Sequence, residues 1–344
     1  MKSVKSARLL LVVVGLLVAA CLCACSSSGV GGGSTTKDGL ISIKLGWQRI
    51  PTVAPNYLMA AEGEKYGLDI ELVEFNRYSD MRVALENGSI DFGTVGPGDV
   101  ALSADSRKSQ LVALAGEATG ADLLAKRAGS GPLSWKDLAS GSVRFGSFGA
   151  GIAWVKTLAT LDQHGYDIGD VNEIKIAGTI QDVIQTLKSG STDVVMNVDP
   201  AIAQGVEDGY AEYADELDIN SSPLGAQNSL FVANRKLLDK PDVISRVLKN
   251  YVAQIERLNT EPGLWASVYQ RYSGIGLPVA QESLKRIRLD LRFSQQELVA
   301  FADFLARKGI AQNANLAAAV GDQYDFGPLA DVTGKTPEEL GRSE

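Results

Sequence analysis

Residues suited to catalysis or metal binding are scarce in this chain. Its three cysteines, Cys21, Cys23 and Cys25, lie near the N-terminus, and no cysteine follows them. The body of the chain therefore has no disulfide framework and no thiolate metal site. The single histidine, His164, gives no basis for a Ser-His-Asp triad or a histidine-rich zinc site. We predict a protein that is not an enzyme and that uses no metal or cofactor.

The cysteines end a segment that is typical of export signals. A basic start is followed by an uncharged apolar run, residues 9–20, which is too short to span a bilayer. The small residues before Cys21 and before Cys25 resemble the bacterial lipobox, whose cysteine becomes lipidated. We predict a lipoprotein signal peptide over residues 1–25. Lipidation is expected at Cys25, with Cys21 as the alternative, because the polar residues 26–39 predict a flexible tether.

The export segment decides where the rest of the chain works. An uncleaved anchor over residues 9–25 is the alternative interpretation, and in both cases the body is exported and held at a membrane. We expect it on the outer face of the cytoplasmic membrane or in the periplasm. The formal net charge of -8 argues against a nucleic-acid partner, which needs a basic face. The apolar fraction of 45% excludes a disordered chain.

Alternating strand and helix patterns predict an α/β fold, and the chain length favours two lobes. We assign residues 40–128 to the first part of lobe 1 and residues 129–224 to lobe 2. Residues 225–344 are assigned to a return to lobe 1 followed by C-terminal helices. Glycine-, proline- and serine-rich runs at 128–132 and 220–225 predict the two crossings between the lobes.

A weak internal repeat relates the two lobes. Residues 88–91 (GSID) follow one predicted helix, and residues 190–193 (GSTD) follow another. Pro97 and Asp199 stand at the same spacing beyond the two aspartates, where new helices begin. The repeat therefore predicts equivalent loops at the carboxyl ends of strands, which is where open α/β sheets bind ligands.

Segments spread over most of the exported body resemble one family. They are Leu45–Arg49 (LGWQR), Tyr66–Phe75 (YGLDIELVEF), Ala84–Gly93 (ALENGSIDFG), Trp135–Leu138 with Val143–Gly146, and Asp199–Pro200. In order and spacing the chain resembles the solute-binding lipoproteins of bacterial ABC importers, in the branch of aliphatic sulfonate, taurine and nitrate binding proteins. The resemblance implies a two-lobed periplasmic-binding-protein fold of type 2, with two crossover segments, a ligand cleft and a helical C-terminal region. It also implies a monomer that delivers a small organic solute to a permease and its ATPase.

The resemblance places several loops at the cleft. Their expected ligand-binding residues are Trp47, Gln48, Arg49, Pro97, Gly98, Asp99, Thr119, Ser147, Phe148, Gly149, Gly151, Asn197 and Asp199. Arg49 is expected to pair with an anionic oxygen, and the loop 147–151 to present free helix N–H groups to it. The alternatives are a solvated side chain for Arg49, helix capping for Asp99 and Asp199, and a simple turn at Thr119.

The leading solute is an aliphatic sulfonate or a taurine-like compound. Phe148 makes the pocket more apolar. Asp99, Glu117 and Asp199 add negative charge near its mouth, which disfavours a small inorganic anion such as nitrate. A thiamine-precursor pyrimidine or another nitrogenous aromatic is the alternative, since Trp47 and Trp154 together with Phe148 offer ring surfaces. A ligand-binding sensor that contacts a signalling protein is a further alternative.

Overall fold

The structure is a computed structural model that describes residues 35–36, 39–105 and 109–343. The predicted signal peptide, with both candidate lipidation cysteines, Cys21 and Cys25, lies outside the described residues, as does most of the predicted tether. Among the described residues, no helix has the length and apolar character needed to cross a membrane. These residues form two β-sheets with helices packed around them.

Strands and helices alternate along the chain, as the sequence pattern predicts. The strands are β1 Ile41–Trp47, β2 Leu68–Glu74, β3 Phe92–Val95, β4 Leu111–Thr119, β5 Leu123–Arg127, β6 Arg144–Ser147, β7 Asn172–Lys175, β8 Val194–Asn197, β9 Ala211–Tyr213, β10 Gln227–Asn234 and β11 Arg288–Leu289. The helices are α1 Ala54–Glu62, α2 Tyr78–Asn87, α3 Pro97–Ser103, α4 Trp135–Ala139, α5 Ile152–Gln163, α6 Ile180–Ser189, α7 Ala201–Glu207, α8 Pro241–Thr260, α9 Pro262–Ser273, α10 Leu277–Leu284, α11 Gln295–Arg307, α12 Leu316–Ala319 and α13 Gly327–Thr333.

The strands form a six-stranded sheet, β11-β4-β10-β3-β1-β2, and a five-stranded sheet, β7-β6-β8-β5-β9. In the first sheet β1 is parallel to β2 and β3, while β10 runs antiparallel to β3 and β4. In the second sheet β6 is parallel to β7 and β8, while β5 runs antiparallel to β8 and β9. The carboxyl ends of the parallel strands therefore collect at one edge of each sheet. This architecture confirms the predicted two-lobed α/β fold class.

The internal repeat has the same structure in both sheets. Helices α2 and α6 end at the glycines of the repeat, whose φ angles are 76° and 73°, a conformation that glycine adopts readily. The aspartate of each repeat then accepts a hydrogen bond from the neighbouring strand. Asp91 accepts from the N–H of Lys44 at 2.8 Å, and Asp193 accepts from the N–H of Arg144 at 3.0 Å. The tetrapeptide thus ends a helix and fixes the start of an inner strand.

The chain crosses between the two sheets twice. Since β4 lies in the first sheet and β5 in the second, the first crossing is the short segment 120–122. The predicted crossing at 128–132 is wrong, because this run is a turn after β5 with Gly129 and Gly131 exposed at positive φ. Strand β5, assigned to lobe 1 from the sequence, therefore pairs in the second sheet. The return crossing, residues 214–226, includes the second predicted run.

Helix α5 is shared between the cores of the two sheets. Val155, Leu158 and Ala159 pack in the core of the first sheet. Ala153 and Leu161 pack in the core of the second sheet. The two lobes are therefore in contact along this helix as well as through the crossings.

The helices after the return crossing cover the first sheet. The ring of Tyr251, on α8, stacks on Phe231 of β10 with centroids 4.2 Å apart. Its hydroxyl donates to the carbonyl of Gly116 in β4 at 2.6 Å. Strand β11 adds to the free side of β4, and the strand order ends there. The chain thus returns to the first sheet, as the sequence predicts.

Candidate functional site

The end of β1 carries an aromatic cluster at the cleft edge of the first sheet. Trp47 packs edge-on against Tyr272 of α9, with ring centroids 5.3 Å apart. Tyr57 lies 5.8 Å from Trp47 and 5.2 Å from Tyr272, and Tyr269 lies 5.4 Å from Tyr272. Trp47 is therefore part of a larger aromatic wall, most of which comes from residues outside the predicted set. Trp47 and Tyr272 are buried in this wall and belong to the core of the first sheet.

Gln48 and Arg49 follow Trp47 and have different environments. Gln48 is buried. Arg49 is about half exposed and donates to the two carboxylate oxygens of Glu74 at 2.8 and 2.9 Å, and also to the carbonyl of Tyr272. The guanidinium that was expected to pair with an anionic solute is instead bound to a carboxylate of the protein.

The loop after β3 leads directly into α3. Gly96 is the N-cap residue and Pro97 the first helical residue, and Asp99 stands in the first turn, where its carboxylate interacts with the backbone N–H of Gly96. The Nε atom of Arg82 lies 3.4 Å from the Asp99 carboxylate. Burial outweighs this attraction and raises the pKa of Asp99 to about 6. A Cβ placed on Gly98 would touch the ring of Phe301 at 3.9 Å, so α11 covers this part of the loop.

Thr119 ends β4, and the most unusual carboxylate of the site precedes it by two residues. Glu117 has 0% exposure, and neither of its carboxylate oxygens has a hydrogen-bond partner within the described part of the chain. Burial raises the pKa of Glu117 to about 8, an effect that the nearby hydroxyls of Thr94 and Ser229 partly offset. Buried polar groups without a partner are rare, and they are more frequent at functional sites.

In the second sheet a carboxylate on β7 organises the loop after β6. Glu173 accepts hydrogen bonds from the hydroxyl of Ser147 at 2.5 Å and from the indole N–H of Trp154 at 2.8 Å. The Nζ atom of Lys175 lies 3.9 Å from this carboxylate. The Ser147 oxygen in turn accepts from the backbone N–H of Gly149 at 2.9 Å. Ser147 and Trp154 are therefore both held in place by a residue that the sequence analysis did not single out.

Helix α5 begins at this loop without a side-chain cap. Its N-cap residue is Gly151, no side chain accepts from the first turn, and that turn contains no acidic residue. Gly149 and Gly151 have φ angles of 65° and 88°, which favour glycine. Phe148 is half-buried and packs against the core of the second sheet. The first-turn N–H groups carry partial positive charge, so this helix start suits an anionic group.

Asn197 and Asp199, after β8, are engaged within lobe 2. The amide of Asn197 donates to the carbonyl of Ile180 at 3.0 Å. Asp199 accepts from the N–H of Ala203, in the first turn of α7, at 2.9 Å and from the hydroxyl of Tyr213 at 3.1 Å. Burial raises the pKa of Asp199 to about 7. The hydrogen bond to α7 agrees with the capping alternative for Asp199.

The cleft edges of the two sheets meet at the start of α5. A Cβ placed on Gly96 would lie 3.6 Å from the Cδ1 atom of Ile152 and 3.5 Å from the carbonyl oxygen of Asn228. Nearby, Arg77 of lobe 1 donates to the carbonyl of Gly178 in lobe 2 at 3.4 Å. The loop after β3 and the loop after β6, both predicted cleft loops, are therefore adjacent.

A buried ion pair joins α5 to both crossings. The Nζ atom of Lys156 lies 2.8 Å from the Asp122 carboxylate, and both side chains have 0% exposure. The amide of Asn228 donates to the second Asp122 oxygen at 3.0 Å. Asn220, in the return crossing, accepts from Lys156 at 3.3 Å and donates to the Asp122 carbonyl at 2.7 Å. This network fixes the two crossings side by side.

A cavity of about 240 Å³ lies beside the crossings. Its lining includes Asp122, Asp215 and Arg286. Arg286 donates to both carboxylate oxygens of Asp215 at 3.1 Å, and its guanidinium stacks 3.4 Å from the ring of Tyr213. Among the described residues, no group of three or more His, Cys, Asp or Glu side chains could hold a metal ion.

A family comparison accounts for this arrangement. The sequence profile of a family described as ABC transporter, phosphonate, periplasmic substrate-binding protein matches residues 57–262. The chain belongs to this family. Proteins of this kind bind a solute for transport and are not enzymes, as the sequence predicts. Because the family is periplasmic, this binding protein works outside the cytoplasm, which also agrees with the sequence prediction. No curated protein sequence matches the chain significantly.

Solved structures of other binding proteins have the same fold. The alkanesulfonate-binding protein SsuA from Xanthomonas axonopodis pv. citri, bound to MOPS, superposes with a TM-score of 0.68 at 17% identity, covering 83% of this chain and 98% of its own. SsuA from Escherichia coli superposes with a TM-score of 0.67 at 17% identity, and the match covers 82% of this chain and 96% of SsuA. The nitrate-binding protein NrtA from Synechocystis PCC 6803 superposes with a TM-score of 0.71 at 12% identity, and the match covers 88% of this chain and 92% of NrtA. These similarities confirm the predicted type 2 fold.

This binding protein brings several predicted loops together, but two residues that shape its site, Tyr272 and Glu173, were missed. Tyr272 and Glu173 lie far along the chain from the residues that they contact, and no sequence pattern connects them. Glu117 was expected only as negative charge near the pocket mouth, although it is also the single charged residue in the apolar strand LVALAGEAT. A charge in a strand that is buried along its length has a reason to be there.

Proposed function

We propose that this binding protein captures a small organic solute that carries a sulfonate- or phosphonate-type group at one end and a nitrogen-bearing group at the other, taurine being the simplest example. The proposal includes lipid anchoring through Cys25 at the outer face of the cytoplasmic membrane. The closed protein would then hand the solute to an ABC permease that is driven by its ATPase.

The observation that carries the anionic end is the start of α5. The first turn of this helix has no capping side chain and no acidic residue, and it lies against the loop after β3. Free helix N–H groups hold an oxyanion through hydrogen bonds and through the helix dipole. The unpartnered carboxyl of Glu117, in the facing lobe, supports a second polar contact at the same cleft.

Three of the basic side chains around the cleft already have carboxylate partners in the protein, whereas Lys175 is exposed and lies 3.9 Å from Glu173, and Arg77 donates only to a carbonyl. Arg49, Lys156 and Arg286 each lie within 3.1 Å of a carboxylate. An anion at the start of α5 would therefore be held mainly by backbone N–H groups, and a positive group of its own would add to its neutralisation. A zwitterionic solute brings such a group, whereas a bare inorganic anion such as nitrate does not.

The comparisons support an oxyanion-bearing solute. The description of the matching family names phosphonate, and two of the structural neighbours are named as sulfonate-binding proteins. Both groups are tetrahedral and present three oxygens, which suits several N–H donors that converge at one helix start.

A second candidate is an aminopyrimidine or a similar nitrogenous aromatic. It is favoured by the aromatic wall of Trp47, Tyr57 and Tyr272, whose ring centroids are 5.2 to 5.8 Å apart. A planar ring would stack on this wall, and its amino group would donate to an acceptor such as Glu117.

Titration calorimetry and thermal unfolding of the purified full chain, kept in mild detergent, test the proposal. The solutes are taurine, 2-aminoethylphosphonate, ethanesulfonate, nitrate and a 4-aminopyrimidine. We expect taurine or the aminophosphonate to bind with Kd of roughly 1 μM or lower and to raise Tm, because a ligand of the folded state stabilises that state. Binding of the aminopyrimidine without any oxyanion would establish the second candidate instead.

A charge placed at the start of α5 tests the anionic end separately. Ala150 is exposed and precedes the N-cap residue, so Ala150→Asp is expected to weaken oxyanion binding by about tenfold through repulsion. Ala177→Asp is the matched control, because Ala177 is also exposed and precedes α6, whose start Thr179 caps. Equal effects of the two variants would show that the start of α5 does not hold the anion.

A further inference from the structure

Glu117 lies at an irregular point of β4. The register between β4 and β10 shifts, so that Ser229 faces Ala118 and Leu230 faces Gly116. Glu117 is therefore left without a facing residue. An extra residue of this kind interrupts the regular alternation of side chains and re-aims one of them. The only charged side chain of the strand stands at this point.

Groups from the carboxyl edge of the first sheet surround the Glu117 carboxyl. The hydroxyls of Thr94 and Ser229 stand beside it. Burial raises the pKa of Tyr78, at the start of α2, and of Tyr272, in the aromatic wall, and the charge of Glu117 adds to both effects. Because α2 follows β2 and Thr94 lies near the end of β3, the carboxyl is at the edge of the sheet that faces the cleft.

Hydrogen-bond acceptors outnumber donors at this place. Both oxygens of Glu117 lack a partner, as do the Ser229 hydroxyl and the Oδ1 atoms of Asn56 and Asn228. The hydroxyl oxygen of Thr94 already accepts from the Asn56 amide at 2.9 Å. Once Glu117 is ionised, four of these five unpaired atoms can only accept, so a ligand that brings N–H donors would satisfy them.

The missing donor does not come from a basic side chain of the described residues. Burial and the two neighbouring hydroxyls account for the pKa of Glu117, with no contribution from a lysine or arginine. The phenols of Tyr78 and Tyr272 are close enough to the carboxyl for its charge to act on them, and aromatic rings also attract a cation. A carboxyl next to aromatic rings, with no protein cation, is an environment for a cationic or amino-bearing ligand.

We propose that Glu117 recognises the nitrogen-bearing end of the solute, accepting hydrogen bonds from a protonated amine or a ring amino group that lies against Tyr78 and Tyr272. This inference rests on the proposed function and assigns its specificity to one residue. A protonated amine ionises the carboxyl, and the proton of Glu117 leaves to solvent. A ring amino group donates to it without that release.

Paired solutes test the assignment by calorimetry on the full chain. The pairs are taurine with ethanesulfonate, 2-aminoethylphosphonate with ethylphosphonate, and a 4-aminopyrimidine with the same ring lacking the amino group. Glu117→Gln is expected to reduce affinity for the amine-bearing member by about 30-fold and to change affinity for its partner by less than about threefold. A merely structural role would lower both affinities together.

Proton release gives a second readout. For an alkylamine at pH 7, the wild-type chain is expected to release close to one proton on binding, measured in buffers of different ionisation enthalpy, and Glu117→Gln to release none. The groups that face the carboxyl from neighbouring elements are the phenols of Tyr78, Tyr251 and Tyr272, whose raised pKa values keep them neutral. Asp122 also acts on Tyr78, but it is paired with Lys156.

Asp91→Asn is the matched control, because Asp91 is a buried carboxylate with a raised pKa at the opposite end of β3. It is expected to leave both affinities unchanged. If taurine binds equally to wild type and to Glu117→Gln, the assignment of Glu117 is overturned and the proposed function stands. If only amine-free oxyanions bind the wild-type chain, the assignment and the zwitterionic solute both fall, while the oxyanion site remains.

Discussion

Glu117 and Asp122 are carboxylates on the same stretch of chain, both with 0% exposure, yet their surroundings are opposite. Asp122 accepts hydrogen bonds from Lys156 and Asn228. Glu117 accepts none. A buried carboxylate whose hydrogen bonds and counter-ion come from the protein has a structural role. A buried carboxyl without such partners keeps its proton until a partner from outside binds.

Position explains the difference between the two carboxylates. Asp122 lies in the first crossing, where α5 and the return crossing both supply side chains to it. Glu117 lies at the irregular point of β4, where the neighbouring groups are hydroxyls, rings and other acceptors. Five residues along one segment therefore separate a group that holds the lobes together from a group that meets the cleft.

The largest effect on stability is expected at Asp122, the carboxylate that has partners within the protein. Lys156→Met removes the cation and leaves Asp122 buried without its ion-pair partner. We expect the free energy of unfolding to fall by about 3–5 kcal/mol, measured by urea denaturation. The double variant Asp122→Asn/Lys156→Met removes both charges and should recover part of this loss. A loss below about 1 kcal/mol in the single variant would show that the pair is not a structural element.

Glu117, the carboxyl without a partner, is expected to make the stability of the chain depend on pH. The pKa of Glu117 is about 8 in the folded chain, against an ordinary value of 4.5, so the folded state holds this proton more tightly. The stabilisation is complete below pH 4.5 and is lost as the pH rises towards 8.

Urea denaturation at several pH values between 5 and 8 measures this dependence. Relative to Glu117→Gln, the wild-type chain should lose up to about 1.4 kcal/mol of unfolding free energy per pH unit as the pH rises. A difference between the two proteins that does not change with pH would mean that Glu117 is ionised in the folded chain at neutral pH.

The smallest effect is expected at Arg49, an exposed counterpart to the two buried groups. Its pair with Glu74 has side-chain exposures of 53% and 44%, so it contributes less than about 1 kcal/mol to stability. Arg49→Gln should therefore change the affinity for an oxyanion solute by less than about threefold in calorimetry. A loss of tenfold or more would instead support the role predicted from the sequence, in which Arg49 pairs with the solute.

The sequence predicted the fold well where local chemistry sets it. The glycines that end α2 and α6, and the aspartates that follow, act within a few residues, so the repeat identified both inner strands. The crossing at 120–122 was missed because it has only three residues and a single breaker, Gly120, whereas the turn after β5 has a longer glycine-rich run. Strands β9 and β11 have three and two residues, too few to show a period.

The site was less predictable because its contacts join distant parts of the chain. Lys156 and Asp122 are 34 residues apart, and Arg49 and Glu74 are 25 residues apart. Neither pairing follows from periodicity. The environment of Glu117 depends on a register shift between β4 and β10, which only the paired strands reveal.

The buried ion pair also has a mechanical meaning for α5. Lys156 stands about one turn, or roughly 6 Å, beyond Ile152 at the cleft end of the helix. The ion pair therefore fixes α5 close to its N-terminal end, which faces the cleft. Any rotation of the second sheet about this fixed point moves the far end of α5 more than the cleft end. The distance between Asp162 and Lys308 at that far end, which is 2.7 Å, would therefore change more than distances at the cleft end.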